Sequence, residues 1–264
     1  MRIVIAQSAW NDMCQELDRV APNEGILLPL VALQSGAAPP SLERGLGAIE
    51  TVVIARMLRV PQDKQHNSAL QVQVLAQTNG RMEKAVTRLV SAHPRLRVAA
   101  YLHSHPFASD HTKPSLGDYH GHMLPLREQN VMCGLRTSFS FIACRNTSNG
   151  WALQCFGLDD QNQIVDLGFA EVIADAHRLI NWALAPPLSP RARAMLRRFA
   201  RRARRNGKQV RSATLFDGYR RYVVREGNQL REIIFVPCDF PNAAAQRFLV
   251  AADGSTVRTD EVAL

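Results

Sequence analysis

The chain has almost no lysine: only Lys64, Lys84, Lys113 and Lys208 carry that side chain, against a large excess of arginine. A GC-rich bacterial genome accounts for that bias without a functional cause. It also lacks a long apolar run. No stretch approaches the roughly 20 residues needed to cross a bilayer, so a membrane-spanning protein is not expected. The N-terminus, "MRIVIAQSAWNDMCQELDR", is interrupted by carboxylates and by Trp10. No small-residue cleavage site follows it, so it reads as a first strand and helix, and a cytoplasmic protein is expected. Cysteine is sparse and unpatterned: Cys14, Cys133, Cys144, Cys155 and Cys238 form no C-x-x-C pair. That excludes a cysteine zinc knuckle, and the odd count argues against a disulfide framework. Cys144 and Cys155 could face each other across a hairpin, although buried free thiols are the reading we favour. No internal repeat is visible.

Acidic residues are missing from one place in particular. Between Arg191 and Arg211, "RARAMLRRFARRARRNGKQVR", ten residues are basic and none acidic, which exceeds the whole net charge of +9. The basic character therefore belongs to this segment and not to the rest of the chain.

What is present is 46% apolar residues over 264 positions, enough for a real core. The periodicities predict a mixed α/β protein. Trp10, Met13, Cys14 and Leu17 mark one helical face. "EGILLPLVAL" reads as a strand, with Pro29 pointing to an edge or a bulge. "AIETVVIARMLRV" and "ALQVQVLAQ" read as β-rich, "GRMEKAVTRLVSAH" as a helix, and "LRVAAYLHSH" as a buried strand. "SLGDYHGHMLPLREQNVMCGL" is helical with a break near Pro125. "SFSFIACR" and "WALQCFGLD" are expected to pair around Asn149-Gly150. "FAEVIADAHRLINWAL" has the pattern of a second amphipathic helix. "APPLSP" marks a boundary, with Ser189 and Pro190 starting the basic helix. Strand-like runs then separate at Gly227-Asn228 and Asp253-Gly254. The expected organisation is an α/β domain over 1–185, a basic helix or linker over 186–212, and a small β-rich appendage over 213–264.

Five of the eight histidines lie in "YLHSHPFASDHTKPSLGDYHGH": His103, His105, His111, His120 and His122. On a strand, His103 and His105 project to one face and Ser104 to the other. Two imidazoles on one face of a rigid strand make half of a transition-metal site. Ser115 precedes Asp118 by three residues, the spacing of a helix start with Ser115 as N-cap. Asp118 could then turn back toward the strand end and complete a three-ligand site with one position open. His111 could be a spare ligand; His120 and His122 fall on different helical faces and are expected in solvent.

His103-Ser104-His105-Pro106 followed by Ser115-x-x-Asp118 resembles the signature of the JAMM (MPN-plus, or JAB) metalloproteases. The resemblance runs over roughly residues 1–175 and implies a JAB-like mixed sheet flanked by helices. It implies a Zn2+ ion held by His103, His105 and Asp118. It also implies an upstream glutamate, for which "APNEGILL" offers Glu24; Glu43 and Glu50 are the alternatives. Glu24 would act as general base and then general acid. Ser115 would donate to the oxyanion of the tetrahedral intermediate. Nine residues separate His105 from Ser115, longer than the usual motif, so the intervening loop must bulge.

The expected substrate is the C-terminal tail of a ubiquitin-like protein, bound as an added strand. Cleavage would serve deconjugation or precursor processing. The expected partners are that modifier, its conjugates and its activating-like and conjugating-like enzymes, including those of bacterial antiphage systems. The alternatives are a non-catalytic scaffold of the same fold, or nucleic-acid binding through the basic segment.

Overall fold

A computed structural model describes residues 1–35, 45–61, 79–105, 113–131, 135–145, 150–185, 190–214, 219–237, 245–250 and 256–262. The chain is a mixed α/β protein, and its described residues build two sheets. The larger has eight strands in the order β7-β6-β5-β4-β2-β3-β1-β8. These are β1 (Arg2–Ala6), β2 (Ile26–Ser35), β3 (Ile49–Arg59), β4 (Ala100–His105), β5 (Phe139–Arg145), β6 (Trp151–Leu158), β7 (Ile164–Phe169) and β8 (Glu171–Ile173). β1 runs parallel to β3 and β8, β4 runs parallel to β5, and the remaining neighbours are antiparallel.

Strand alternation divides the side chains between two layers. Leu27, Leu102, Phe141 and Ala143 join the main core with Met13 and Leu17 of α1 (Gln7–Val20) and with Leu179 and Ile180 of α5 (Arg178–Ala183). Ile26 and Leu28 face the other way. They pack with Met82 and Val86 of α2 (Asn79–Ala92) and with Tyr101. Ile142, opposite His103 in the ladder, packs on that same face with Met123 and Phe156.

Met123 belongs to a helical segment over 116–131 made of three pieces: α3 (Leu116–Asp118), a π turn (Tyr119–Met123) and α4 (Leu124–Val131). The break expected near Pro125 does not occur, because the turn ahead of the proline widens. The Leu124 amide donates to the Tyr119 carbonyl one residue further back than in an α-helix. A π turn of this kind lets a helix absorb a residue without an amide.

The second sheet is antiparallel, in the order β13-β12-β11-β10-β9. It is preceded by α6 (Pro190–Arg205) and comprises β9 (Gln209–Thr214), β10 (Tyr219–Glu226), β11 (Gln229–Pro237), β12 (Ala245–Val250) and β13 (Thr256–Val262). The β10–β11 hairpin turns at Gly227-Asn228, where Gly227 has φ 58°.

Three further readings need correction. "FAEVIADAHRLINWAL" is not one helix. Phe169 ends β7, Glu171–Ile173 forms β8 beside β1, and only Arg178–Ala183 is helical. The side chain of Asp175 accepts the amide and hydroxyl of Ser8, which holds this turn against the start of α1. Cys144 and Cys155 do not face each other: Cys144 stands opposite Ala152, and Cys155 opposite Phe141. Both are free and buried. Pro29 sits in an interior strand, one residue before the β2 irregularity at Leu30/Val31. Its bulge reading holds and its edge reading does not. The segment "ALQVQVLAQ", most of "QSGAAPPSLERGLG", Glu43, His111, Ser189 and Asp253-Gly254 lie outside the described residues. No helix among the described residues is long and apolar enough to cross a membrane.

Candidate functional site

β4 ends in His103-Ser104-His105, and its alternation separates these side chains as the pattern requires. Tyr101, His103 and His105 share the face covered by α2 and the π turn, while Ser104 lies on the opposite, fully buried face. The Nε2 atoms of His103 and His105 approach to 3.2 Å, with ring centroids 5.0 Å apart.

Glu24 reaches the same place from another segment. β2 and β4 pair antiparallel with Ile26 opposite His103. The pairing continues past the strand end, because the Ser104 amide donates to the Gly25 carbonyl at 2.9 Å. The next step of that register sets Glu24 opposite His105, and Glu24 Oε1 lies 4.0 Å from His105 Nε2. Glu50 is exposed beside the other end of β2, where Ile49 pairs with Ser35. At about 3.3 Å per strand residue, that is roughly 30 Å from the histidines. The structure therefore brings Glu24, and not Glu50, to this site.

Asp118 arrives from a third segment. Ser115 caps α3 with a reciprocal capping box: its hydroxyl accepts the Asp118 amide at 3.2 Å, and Asp118 Oδ2 accepts the Ser115 amide at 2.8 Å. The Ser115 hydroxyl also donates to Asp118 Oδ2 at 2.8 Å. These bonds aim the carboxylate at β4, with Oδ2 3.7 Å from His103 Nε2. The longer interval between His105 and Ser115 does not keep the two halves of the motif apart.

Burial sets the protonation states. Glu24 is 8% exposed as a residue, and its carboxyl is raised to about 7 by desolvation and then by the Asp118 charge. Burial lowers His103 to about 4, so this imidazole is neutral at pH 7 with its nitrogen lone pair available. Desolvation would raise Asp118. The facing His103 and the two bonds from Ser115 outweigh it and hold the carboxylate below its ordinary range. The site thus offers two nitrogen donors, one ionised carboxylate and one carboxyl poised near neutrality.

His122 was expected in solvent and is not fully there. It is half-buried with its ring 5.1 Å from that of Tyr101, near enough to contribute to the lowering of both His103 and Asp118. The signal that could have found it is its four-residue spacing from Asp118, which sets the two on neighbouring turns. His120 is exposed, as expected.

Among the described residues, no group of three or more His, Cys, Asp or Glu forms a complete metal cluster as it stands. Two separations around His103 are nevertheless of the size that shared metal ligands have. A tetrahedral ion with nitrogen and oxygen donors at about 2.0–2.2 Å spaces them about 3.3–3.6 Å apart. The observed separations of 3.2 Å and 3.7 Å bracket that spacing. His103 thus stands at donor spacing from both His105 and Asp118.

No protein-family model and no curated protein matches the sequence. Among solved structures, the chain is similar to a Desulfitobacterium hafniense protein determined in solution, at 13% identity and a TM-score of 0.39, over 65% of this chain and 92% of that one. A likeness of that size assigns no family.

Proposed function

We propose that this chain is a zinc-dependent peptidase or isopeptidase of the JAMM type, with a JAB-like domain over 1–185. Its cleavage point follows the C-terminal tail of a ubiquitin-like protein. The observation that carries this reading is the convergence of Glu24, His103, His105 and Asp118 from three separate segments, with Ser115 tying Asp118 in place. The order of elements supports it too: helix, glutamate strand, strand, helix, histidine strand, capped helix and strand pair follow in the sequence the resemblance requires.

Zinc bound by His103, His105 and Asp118 supplies positive charge and lowers the pKa of water to about 7. The protein's own groups do the rest. Glu24, balanced near pH 7, accepts the proton of the attacking water and returns it to the leaving amine. Ser115, exposed at the helix start, turns its hydroxyl from Asp118 to the substrate carbonyl oxygen as negative charge develops there. Leu116, 78% exposed beside Ser115, offers an apolar contact to the incoming tail. The partners on this reading are the modifier, its conjugates and the enzymes that attach it.

The deciding experiment is incubation with a fusion of a ubiquitin-like protein, with and without chelator, and with zinc restored. Cleavage should stop with chelator, return with zinc, and be lost in Glu24→Gln but not in Glu50→Gln. Cleavage that survives chelation, or that survives Glu24→Gln, overturns the reading.

A further inference from the structure

The zinc-site reading leaves α6 unused. Its sequence, "PRARAMLRRFARRARR", contains no acidic residue. The exposed side chains described on it are Arg197, Arg198, Arg201, Arg202, Arg204 and Arg205. At about 100° per residue these six fall within an arc of about 160°. Ala200 and Ala203, both half-buried, lie outside that arc. The arginines thus form two adjacent lines, Arg197-Arg201-Arg204 and Arg198-Arg202-Arg205, advancing about 5.4 Å per turn. Among the described residues none of the six guanidinium groups has a carboxylate partner, whereas Lys208, just past the helix, pairs with Glu232 at 3.6 Å.

Charge complementarity alone admits an acidic protein or a nucleic acid, and the make-up of the face separates them. Protein interfaces do use arginine as an anchor, but set among apolar and aromatic groups in a desolvated centre. The exposed arc described here holds arginine only. Guanidinium groups pair bidentately with phosphate, and a row of them at one-turn spacing matches a repeating polyanion. We propose that α6 grips the phosphodiester backbone of a nucleic acid, without reading its bases. The binding is independent of the proposed hydrolytic site, none of whose residues lies on α6.

The test is fluorescence anisotropy of the full chain with three labelled probes: a short mixed-sequence DNA duplex, one of its single strands, and a polyglutamate peptide. Titrations run at two or more salt concentrations. Six phosphate contacts give a log–log salt slope of up to about −5 on the duplex. Replacing all six arginines by glutamine should weaken nucleic-acid binding at least tenfold at about 0.1 M salt and flatten the slope. Arg198, Arg202 and Arg205→Gln together should remove about half of it. Circular dichroism checks that both variants stay folded; if the sixfold variant does not, the threefold variant carries the test. The proposal is overturned by wild-type protein that binds neither strand form at low salt. It is equally overturned by a folded variant that binds like wild type, or by polyglutamate binding as tight as DNA.

Discussion

The Ser104 hydroxyl accepts the amide hydrogen of Gly25 at 2.8 Å, on the opposite face of the sheet from the histidines that flank it. With the Ser104 amide bound to the Gly25 carbonyl at 2.9 Å, this two-bond clasp fixes the start of β2 against the end of β4. Glu24 is thereby held opposite His105. A serine between two candidate ligands thus anchors the residue next to the candidate base.

Ser104→Ala should strand a buried Gly25 amide and cost about 1–3 kcal/mol of stability. Urea unfolding measures it, and an unchanged midpoint would mean that the clasp is dispensable. In the cleavage assay the same variant should lower kcat while keeping its zinc, because it frees Glu24 and leaves His103, His105 and Asp118 in place.

Gly25→Ala tests the same junction from the other strand. A Cβ there would meet Val20 Cγ2 at 2.7 Å and Leu17 Cδ2 at 2.9 Å, so α1 must yield. Overpacking of this kind costs about 1–3 kcal/mol. Wild-type stability in this variant would show that α1 moves freely over the strand.

Glu24 gives a pH signature in chelator-treated protein. Raised from 4.5 to about 7, it keeps a proton in the folded state that the unfolded chain has released. Its stabilising contribution is full below pH 4.5 and is lost as pH rises through 7, a span of about 3 kcal/mol at about 1.4 kcal/mol per pH unit. His103, lowered from 6.5 to about 4, runs the other way: its contribution is present above pH 6.5 and lost as pH falls toward 4. The difference between wild type and Glu24→Gln isolates the carboxyl. The variant should match wild type near pH 4.5 and be more stable by up to about 3 kcal/mol near pH 8. Equal stability near pH 8 would show that the carboxylate is not desolvated.

Metal content follows from the donor set. The purified protein should carry about one zinc per chain, and His103→Ala or Asp118→Ala should lose most of it. Stoichiometric zinc in the double variant would place the metal elsewhere.

Leu116→Asp should raise KM for a ubiquitin-like fusion severalfold and leave zinc content unchanged, since the side chain is exposed at the rim and holds no ligand. An unaltered KM would remove Leu116 from the substrate path.

Local pattern determined a good part of this protein. Alternation over Tyr101–His105 set both histidines on one face, and the three-residue step from Ser115 to Asp118 was a capping box. The periodicity of 80–93 and the tight turn after 226 read directly as α2 and the β10–β11 hairpin. These features are legible because each is a relation between residues a few positions apart. The choice of Glu24 over Glu50 is not of that kind, since it depends on Gly25 meeting Ser104, 79 positions away. Residues 171–173 carry a helical pattern, yet they form β8 because β1, far earlier in the chain, offers an open ladder edge. Helical periodicity records which side of an element is apolar; it does not record which distant backbone will satisfy its hydrogen bonds. That pairing exists only once the chain has folded, and it is the pairing that assembles the site.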